Sequence, residues 1–333
     1  MVKKNTILIL TIFLGVCPLY SQDVIINFAG DVRLDGYIAE KAEQNGYDYP
    51  FSRISDLFKD SHVNCVNLET AVSKRGEAIE KTYRFKADPQ MLEVLVKSNI
   101  NIVNIANNHT GDFGHEAFND TLENLKKNNI KYFGGGPSLY ESRNSEIVTV
   151  GDVKVAFLGF SNTLPAEQWA KKEKPGITPA FLEYIKQDVR KAKSKADYVF
   201  VVYHGGDERS YYPKQVQKDI AHTAIDNGAD AVVGHHPHVL QGIEVYNGKL
   251  IFYSLGNFLF LSKSKKCYDT GVLRVIINKS GFEYVFYPIV IGDAFLRRPD
   301  DKEKLRIFDL LKDISGDFGA NLELSQDSIN IKM

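Results

Sequence analysis

Apolar residues fall along this chain in two alternating patterns. Short runs rich in β-branched and aromatic residues occupy 23–32 (DVIINFAGDV), 63–70 (VNCVNLET), 154–161 (KVAFLGFS) and 197–206 (DYVFVVYHGG). Their length and polar endings predict buried strands. Between them, 51–60, 88–100, 115–130, 179–196 and 214–228 space their apolar residues for helices. Phe118, Leu122 and Leu125 mark one face of the 115–130 segment, and 214–228 stops at a glycine, a common helix end. Residues 101–114 read as a strand running into a polar loop, and 230–238 (DAVVGHHPH) as another strand. Two further strand regions, 249–260 and 271–291, follow, the second folding back as a hairpin at Lys279-Ser280-Gly281. From about 294 the chain is charged and predicts only weak helix or coil. Strand alternating with helix predicts an α/β sheet whose sites lie beyond the carboxyl ends of the strands. The late hairpin adds antiparallel strands, so the sheet is not purely doubly wound.

The two ends change this picture. Lys3 and Lys4 precede an apolar run, Ile7 to Val16, and Ser21-Gln22 follows. A charged start, an apolar core too short to span a bilayer and a small residue at the cut predict an export signal over 1–21. The alternative is a lipoprotein signal ending at Cys17, against which Val16 stands where a small residue is usual. The expected organisation is a signal at 1–21, one domain at 22–293 and a tail at 294–333, in the periplasm, cell envelope or medium. Formal net charge is −1 and falls to −3 without Lys3 and Lys4, so no global field attracts a polyanion, and no nucleic acid partner is expected. Cys65 and Cys267 alone survive cleavage, too few for a disulfide framework.

Chemistry collects at the predicted strand ends. There lie Asp31, then Asn67 and Glu69, then Asn107-Asn108-His109 with Asp112 close behind, then His204, and finally His235, His236 and His238. Imidazole together with carboxylate suits Mn, Fe or Zn rather than calcium. His236 and His238, two apart on an extended chain, project to one side around Pro237 and are placed to share an ion. A bridging Glu69 would allow two ions roughly 3.5–4 Å apart. His235 and Asn67 are candidates for orienting the ligands rather than binding. The stretch 81–88 (KTYRFKAD) alternates aromatic Tyr83 and Phe85 with basic Arg84 and Lys86, near Lys74 and Arg75. It is either an anion-binding wall or a charged edge strand. Asn257, after Gly256, is a candidate substrate contact. His62, His115 and His222 are surface or packing residues.

The ordered motifs GDV (30–32), NLET (67–70), ANNHTGDFG (106–114), VVYHGGDE (201–208), GHHPHVLQGIEVY (234–246) and YSLGNFLF (253–260) resemble the CapA family, linked to poly-gamma-glutamate capsule synthesis. That family is similar in fold to the calcineurin-like metallophosphoesterases. The resemblance spans roughly residues 24–292. It implies a two-sheet sandwich flanked by helices in four layers (αββα), with metal at the strand ends. It implies Asp31, Glu69, Asn108, His204, His236 and His238 as ligands and His109 as the acid that protonates the leaving group. Two departures stand out. Position 33 is arginine where the superfamily usually has a histidine ligand, and the second acid is Glu69 rather than aspartate. Arg33 is instead a candidate to bind an anionic substrate.

The functional expectation is an exported metal-dependent hydrolase with one or two divalent ions. It acts on a phosphoester or a gamma-glutamyl or peptide amide of a cell-envelope or capsule substrate. The alternative is a non-catalytic assembly or export factor that binds an anionic polymer beside membrane synthase partners. A third reading is a secreted phosphatase with no capsule role.

Overall fold

The computed structural model describes residues 23–333. The expected export signal, and Cys17 of the lipoprotein alternative, lie outside the described residues. The first four strands, β1 (Val24–Val32), β2 (Val63–Leu68), β3 (Ile102–Asn104) and β4 (Lys131–Phe133), are parallel neighbours. Helices α1 (Tyr37–Asn45), α2 (Leu92–Lys97) and α3 (Gly114–Lys127) lie in the connections between them. The chain then builds a second sheet from β5 (Glu146–Val150), β6 (Val153–Ser161), β7 (Tyr198–His204), β8 (Ala231–His235), β9 (Ile243–Tyr246) and β10 (Lys249–Phe252). Its order is β9-β10-β8-β7-β6-β5, parallel in the middle and antiparallel at both edges. Helices α4 (Leu182–Lys193) and α5 (Gln215–Asp226) cross between its central strands.

The chain next returns to the first sheet. Strand β11 (Asn257–Leu259) runs parallel beside the end of β1, and β12 (Asp269–Asn278) pairs antiparallel along its start. Strand β13 (Gly281–Ile291) completes the hairpin. The segment after 294, expected as weak helix or coil, instead forms helix α6 (Asp301–Ile314) and strands β14 (Asn321–Leu324) and β15 (Ile329–Lys332). Strand β15 pairs with β13, giving the order β14-β15-β13-β12-β1-β2-β3-β4. Asp300 Oδ1 accepts from the Glu303 amide at 2.8 Å and Glu303 Oε2 from the Asp300 amide at 2.9 Å, a reciprocal cap that starts α6. Its Ile307, Leu311 and Ile314 join the inter-sheet core. Their spacing was present in the sequence but diluted by charge. Helix α1 was not expected either, since only Ile38 and Ala42 are buried on it.

Alternation along the strands makes the layers. On β1, Val24, Ile26 and Phe28 face Val155, Phe157, Phe200 and Phe252 of the other sheet in one buried core. Phe28 and Phe200 lie 5.4 Å apart between ring centroids. The opposite face of the first sheet, with Ala29, Val66 and Val103, packs under Ile38, Leu92, Phe118 and Leu125. On the second sheet, Leu158, Val199, Val201 and Val232 pack under Ile185, Val189, Ile220 and Ala224. The result is helix, sheet, sheet, helix. Gly30 lets β1 end against the 253–257 turn: a Cβ there would stand 2.1 Å from the Gly256 carbonyl oxygen.

Phe200 is fully buried at the centre of the sandwich. Phe200→Ala is expected to cost about 3–5 kcal/mol, read as a lower urea midpoint at unchanged slope. A loss below 1 kcal/mol would contradict this assignment of the core.

Candidate metal centre

Both sheets bring their parallel strands' carboxyl ends to one edge. On the first sheet Asp31 and Asn67 are register partners at the ends of β1 and β2, and the Glu69 amide donates to the Val32 carbonyl at 2.8 Å. On the second, His204 ends β7 and His235 ends β8, again in register. His236 and His238 follow the strand, but not as the extended pair expected. Their φ angles are 95° and 58°, so the chain turns through left-handed backbone and aims each ring separately.

The donor atoms converge on His204. Its Nε2 lies 2.8 Å from Asn108 Oδ1, 3.1 Å from Glu69 Oε1 and 3.1 Å from His236 Nδ1. Two donors each about 2.1 Å from one ion stand about 3.0 Å apart at a right angle and about 3.4 Å apart at the tetrahedral angle. The two 3.1 Å separations fall in that range and the 2.8 Å one just below it. Asp31, Glu69 and His238 form a second convergence, their ligand atoms all within 4.8 Å of one another. Glu69 Oε2 is buried with no hydrogen-bond partner, an atom that a cation would satisfy. The residues present therefore fit a divalent ion.

A row of asparagines fixes the carboxylates. Asn107 Oδ1 accepts from the His109 and Thr110 amides at 3.0 and 3.1 Å, so its Nδ2 must donate. It donates to the Leu68 carbonyl and, at 3.2 Å, to Asn67 Oδ1, which also accepts from Asn104 at 2.8 Å. Asn67 is thereby turned with Nδ2 toward Asp31 Oδ1 at 2.8 Å, Glu69 Oε1 at 3.2 Å and His204 Nδ1 at 3.0 Å. Its two Nδ2 hydrogens go to the two carboxylates, so it acts as a donor to Asp31 and Glu69.

Charge in the cluster is short of cations. Burial works against ionising Asp31, yet the imidazoles of His235 and His238 hold its carboxyl well below the usual range. Burial and the Asp31 charge push Glu69 well above it. Burial and the neighbouring His236 keep His204 neutral. Burial and His238 press His236 down to about 3. Burial opposes the proton on His238, but Glu69 and Asp31 outweigh it and raise that group to about 10. Two buried acids side by side ionise together only beside added positive charge, here a proton on His238 or a bound ion.

The cleft above this cluster, about 380 Å³, is lined by Arg33, Phe85, His109, His238, Asn257 and Phe260 among others. Asp112 Oδ2 accepts from His109 Nδ1 at 2.7 Å, which fixes the proton on that nitrogen. Lys81 reaches the same pair: its Nζ donates to Asp112 Oδ1 at 2.8 Å and to the Asn108 carbonyl, and lies 3.2 Å from His109 Nδ1. Phe85 stacks on His109 at 4.1 Å, and the Arg33 guanidinium lies 3.9 Å from the centre of the Phe85 ring while pairing with Asp35. The expected basic wall is therefore inverted. Tyr83 and Phe85 line the cleft, whereas Arg84 is exposed on the Ile79 carbonyl and Lys86 lies over Phe113. Asn257, expected to touch substrate, is fully buried, with Oδ1 accepting from His238 Nδ1 at 2.7 Å. Lys81 left no signal in the sequence; the His109–Asp112 spacing did, as a three-residue step in a polar loop.

The model of the family described as bacterial capsule synthesis protein PGA_cap matches residues 25–262. The chain belongs to this family. PGA biosynthesis protein CapA of Bacillus subtilis is 35% identical over 302 residues, covering 88% of this chain and 80% of that protein. Capsule biosynthesis protein CapA of Bacillus anthracis is 30% identical, covering 78% of this chain and 66% of that one. Among solved structures, Haemophilus influenzae NAD nucleotidase matches with a TM-score of 0.51 at 15% identity, over 88% of this chain and 63% of its own. The calcineurin-like phosphoesterase YfkN of Bacillus subtilis is matched over 83% of this chain and 87% of its own, at 14% identity and a TM-score of 0.45. The four-layer αββα fold expected from the sequence is the fold found.

Ion binding takes Glu69 and His238 without their protons. Both hold protons more tightly than usual in the metal-free cluster, so affinity is expected to rise with pH and binding to release protons. Calorimetry of Mn²⁺ binding in two buffers of different ionisation enthalpy, at pH 6.5 and 8.5, measures this. Equal affinity and no proton release would contradict the ligand assignment.

Proposed function

We propose that this CapA-family chain is an exported, metal-dependent hydrolase acting on a capsule or cell-envelope polymer. The observation that carries this reading is the convergence of the His204–Asn108–Glu69–His236 donors beside the cleft that His109, held by Asp112, and His238 line. The ligand set is Asp31, Glu69, Asn108, His204, His236 and His238, for one or two ions of Mn, Fe or Zn. When bound, the ion lowers the pKa of a water and polarises the bond under attack.

The chain's own residues do the rest. Asp112 holds the Nδ1 proton of His109, so Nε2 is the nitrogen left to take up a second proton from solvent, with the Asp112 charge steadying the imidazolium against burial, and to pass that proton to the departing group. Phe85 keeps the ring in plane, and Lys81 ties Asp112 to the loop that carries Phe85. The Phe85 amide itself donates to Asp112 Oδ2 at 2.9 Å. Arg33, stacked on Phe85 and paired with Asp35, presents a fixed positive charge to an anionic group of the substrate. A cleft of about 380 Å³ admits one or two units of a polymer, not a large globular partner. The relatives' names, PGA biosynthesis and capsule biosynthesis, support a capsule polymer as the substrate, and the bond proposed for cleavage is a gamma-glutamyl amide or a phosphoester. The apolar run after Lys3 and Lys4 supports export.

Arg33 also favours a second reading, because a fixed cation in place of a nitrogen ligand suits an anion clamp. In that reading the chain holds an anionic polymer for membrane synthase partners and cleaves nothing.

Asp31→Asn and His236→Ala are expected to lower hydrolysis of any phosphoester or gamma-glutamyl substrate by about 100-fold or more, with loss of bound metal. His109→Ala should keep the metal and lower kcat by about 100-fold or more. Unchanged turnover in the ligand variants would refute the hydrolase. Full rescue of a capsule defect by the same variants would favour the clamp.

A further inference from the structure

The geometry points to His235 as a metal ligand beside Asp31, supplying the nitrogen that position 33 does not; this rests on the metal-centre reading above. His235 is the last residue of β8 and is 2% exposed. Its Nδ1 stands 3.1 Å from Asp31 Oδ1, yet it is a buried nitrogen with no aligned hydrogen bond. A proton on Nδ1 would attract the Asp31 carboxylate but lie out of line for a hydrogen bond, and a lone pair would face a carboxylate oxygen and be repelled. A cation bound by both atoms removes either difficulty. The separation equals those of His204 Nε2 from Glu69 Oε1 and from His236 Nδ1.

The other nitrogens are already engaged. His204 and His236 belong to the convergence with Asn108 and Glu69. His238 donates Nδ1 to Asn257 at 2.7 Å and has only Nε2 to offer an ion. Arg33 has no lone pair to give and is drawn aside onto Asp35 and Phe85. Asp31 Oδ1 has Asn67 as its hydrogen-bond donor at 2.8 Å, so it does not need His235 for that purpose. Around Asp31, His235 is thus the imidazole left without other work.

The test is cobalt(II) titration of the metal-free protein, followed by ligand-field absorption and by metal content after gel filtration. His235→Asn places an amide nitrogen close to where the imidazole Nδ1 stood. It therefore offers Asp31 a hydrogen-bond donor while removing an imidazole ligand. His235→Gln is run beside it, and His222→Ala is the control, with melting curves of the metal-free proteins reporting on folding. The expected result is one equivalent fewer, or about 100-fold weaker uptake, in a folded His235 variant, with an altered spectrum and an unchanged His222→Ala. Wild-type stoichiometry, affinity and spectrum in a folded variant would overturn the role of His235 and leave the metal centre standing. No cobalt uptake by the wild type would overturn the metal centre itself, and this inference with it.

Discussion

Two carboxylates, Asp31 and Glu69, lie fully buried in one cluster with four imidazoles, and everything around them follows from keeping them there. Taking such charges out of water costs several kcal/mol each unless compensating charge and hydrogen bonds are built in. The fold supplies the hydrogen bonds from asparagine side chains locked by backbone amides, and part of the charge from His238. It leaves Glu69 Oε2 without a partner. A centre arranged in this way has room for a cation in its chemistry.

The sandwich is what makes the cluster possible. Parallel strands of both sheets end on the same edge, so residues from β1, β2, β7 and β8 meet although Asp31 and His235 are more than 200 positions apart in sequence. Gly30 admits the close passage of the Gly256 carbonyl, and β11 brings Asn257 level with Asp31 to hold His238. The aromatic core of Phe28, Phe157 and Phe200 lies beneath the edge and fixes the spacing of the sheets. Stability and site geometry thus share the same strands.

Much of this was legible in the sequence because short apolar runs ended in the chemically active residues themselves. Asp31 lies one residue before the end of its strand and His204 and His235 at the ends of theirs, and a strand end is visible as the place where the apolar run stops. What escaped were features set by side-chain direction in loops. The 81–88 stretch reads as alternating, but only Lys86–Ala87 pairs as strand, and its aromatic side, not its basic side, faces the cleft. His236 and His238 sit two apart as expected, but on left-handed backbone that no spacing reveals. Lys81 meets Asp112 across 31 positions through a coil segment with no pattern of its own. The C-terminal strands are short and largely exposed on one face, so only their pairing with β13 identifies them.

Anomalous X-ray diffraction from crystals grown with Mn²⁺ tests the central claim most directly. The account predicts a manganese peak bounded by His204 Nε2, Asn108 Oδ1, Glu69 Oε1 and His236 Nδ1. No peak there at full manganese loading, with those four atoms bonded only to one another or to water, would contradict it.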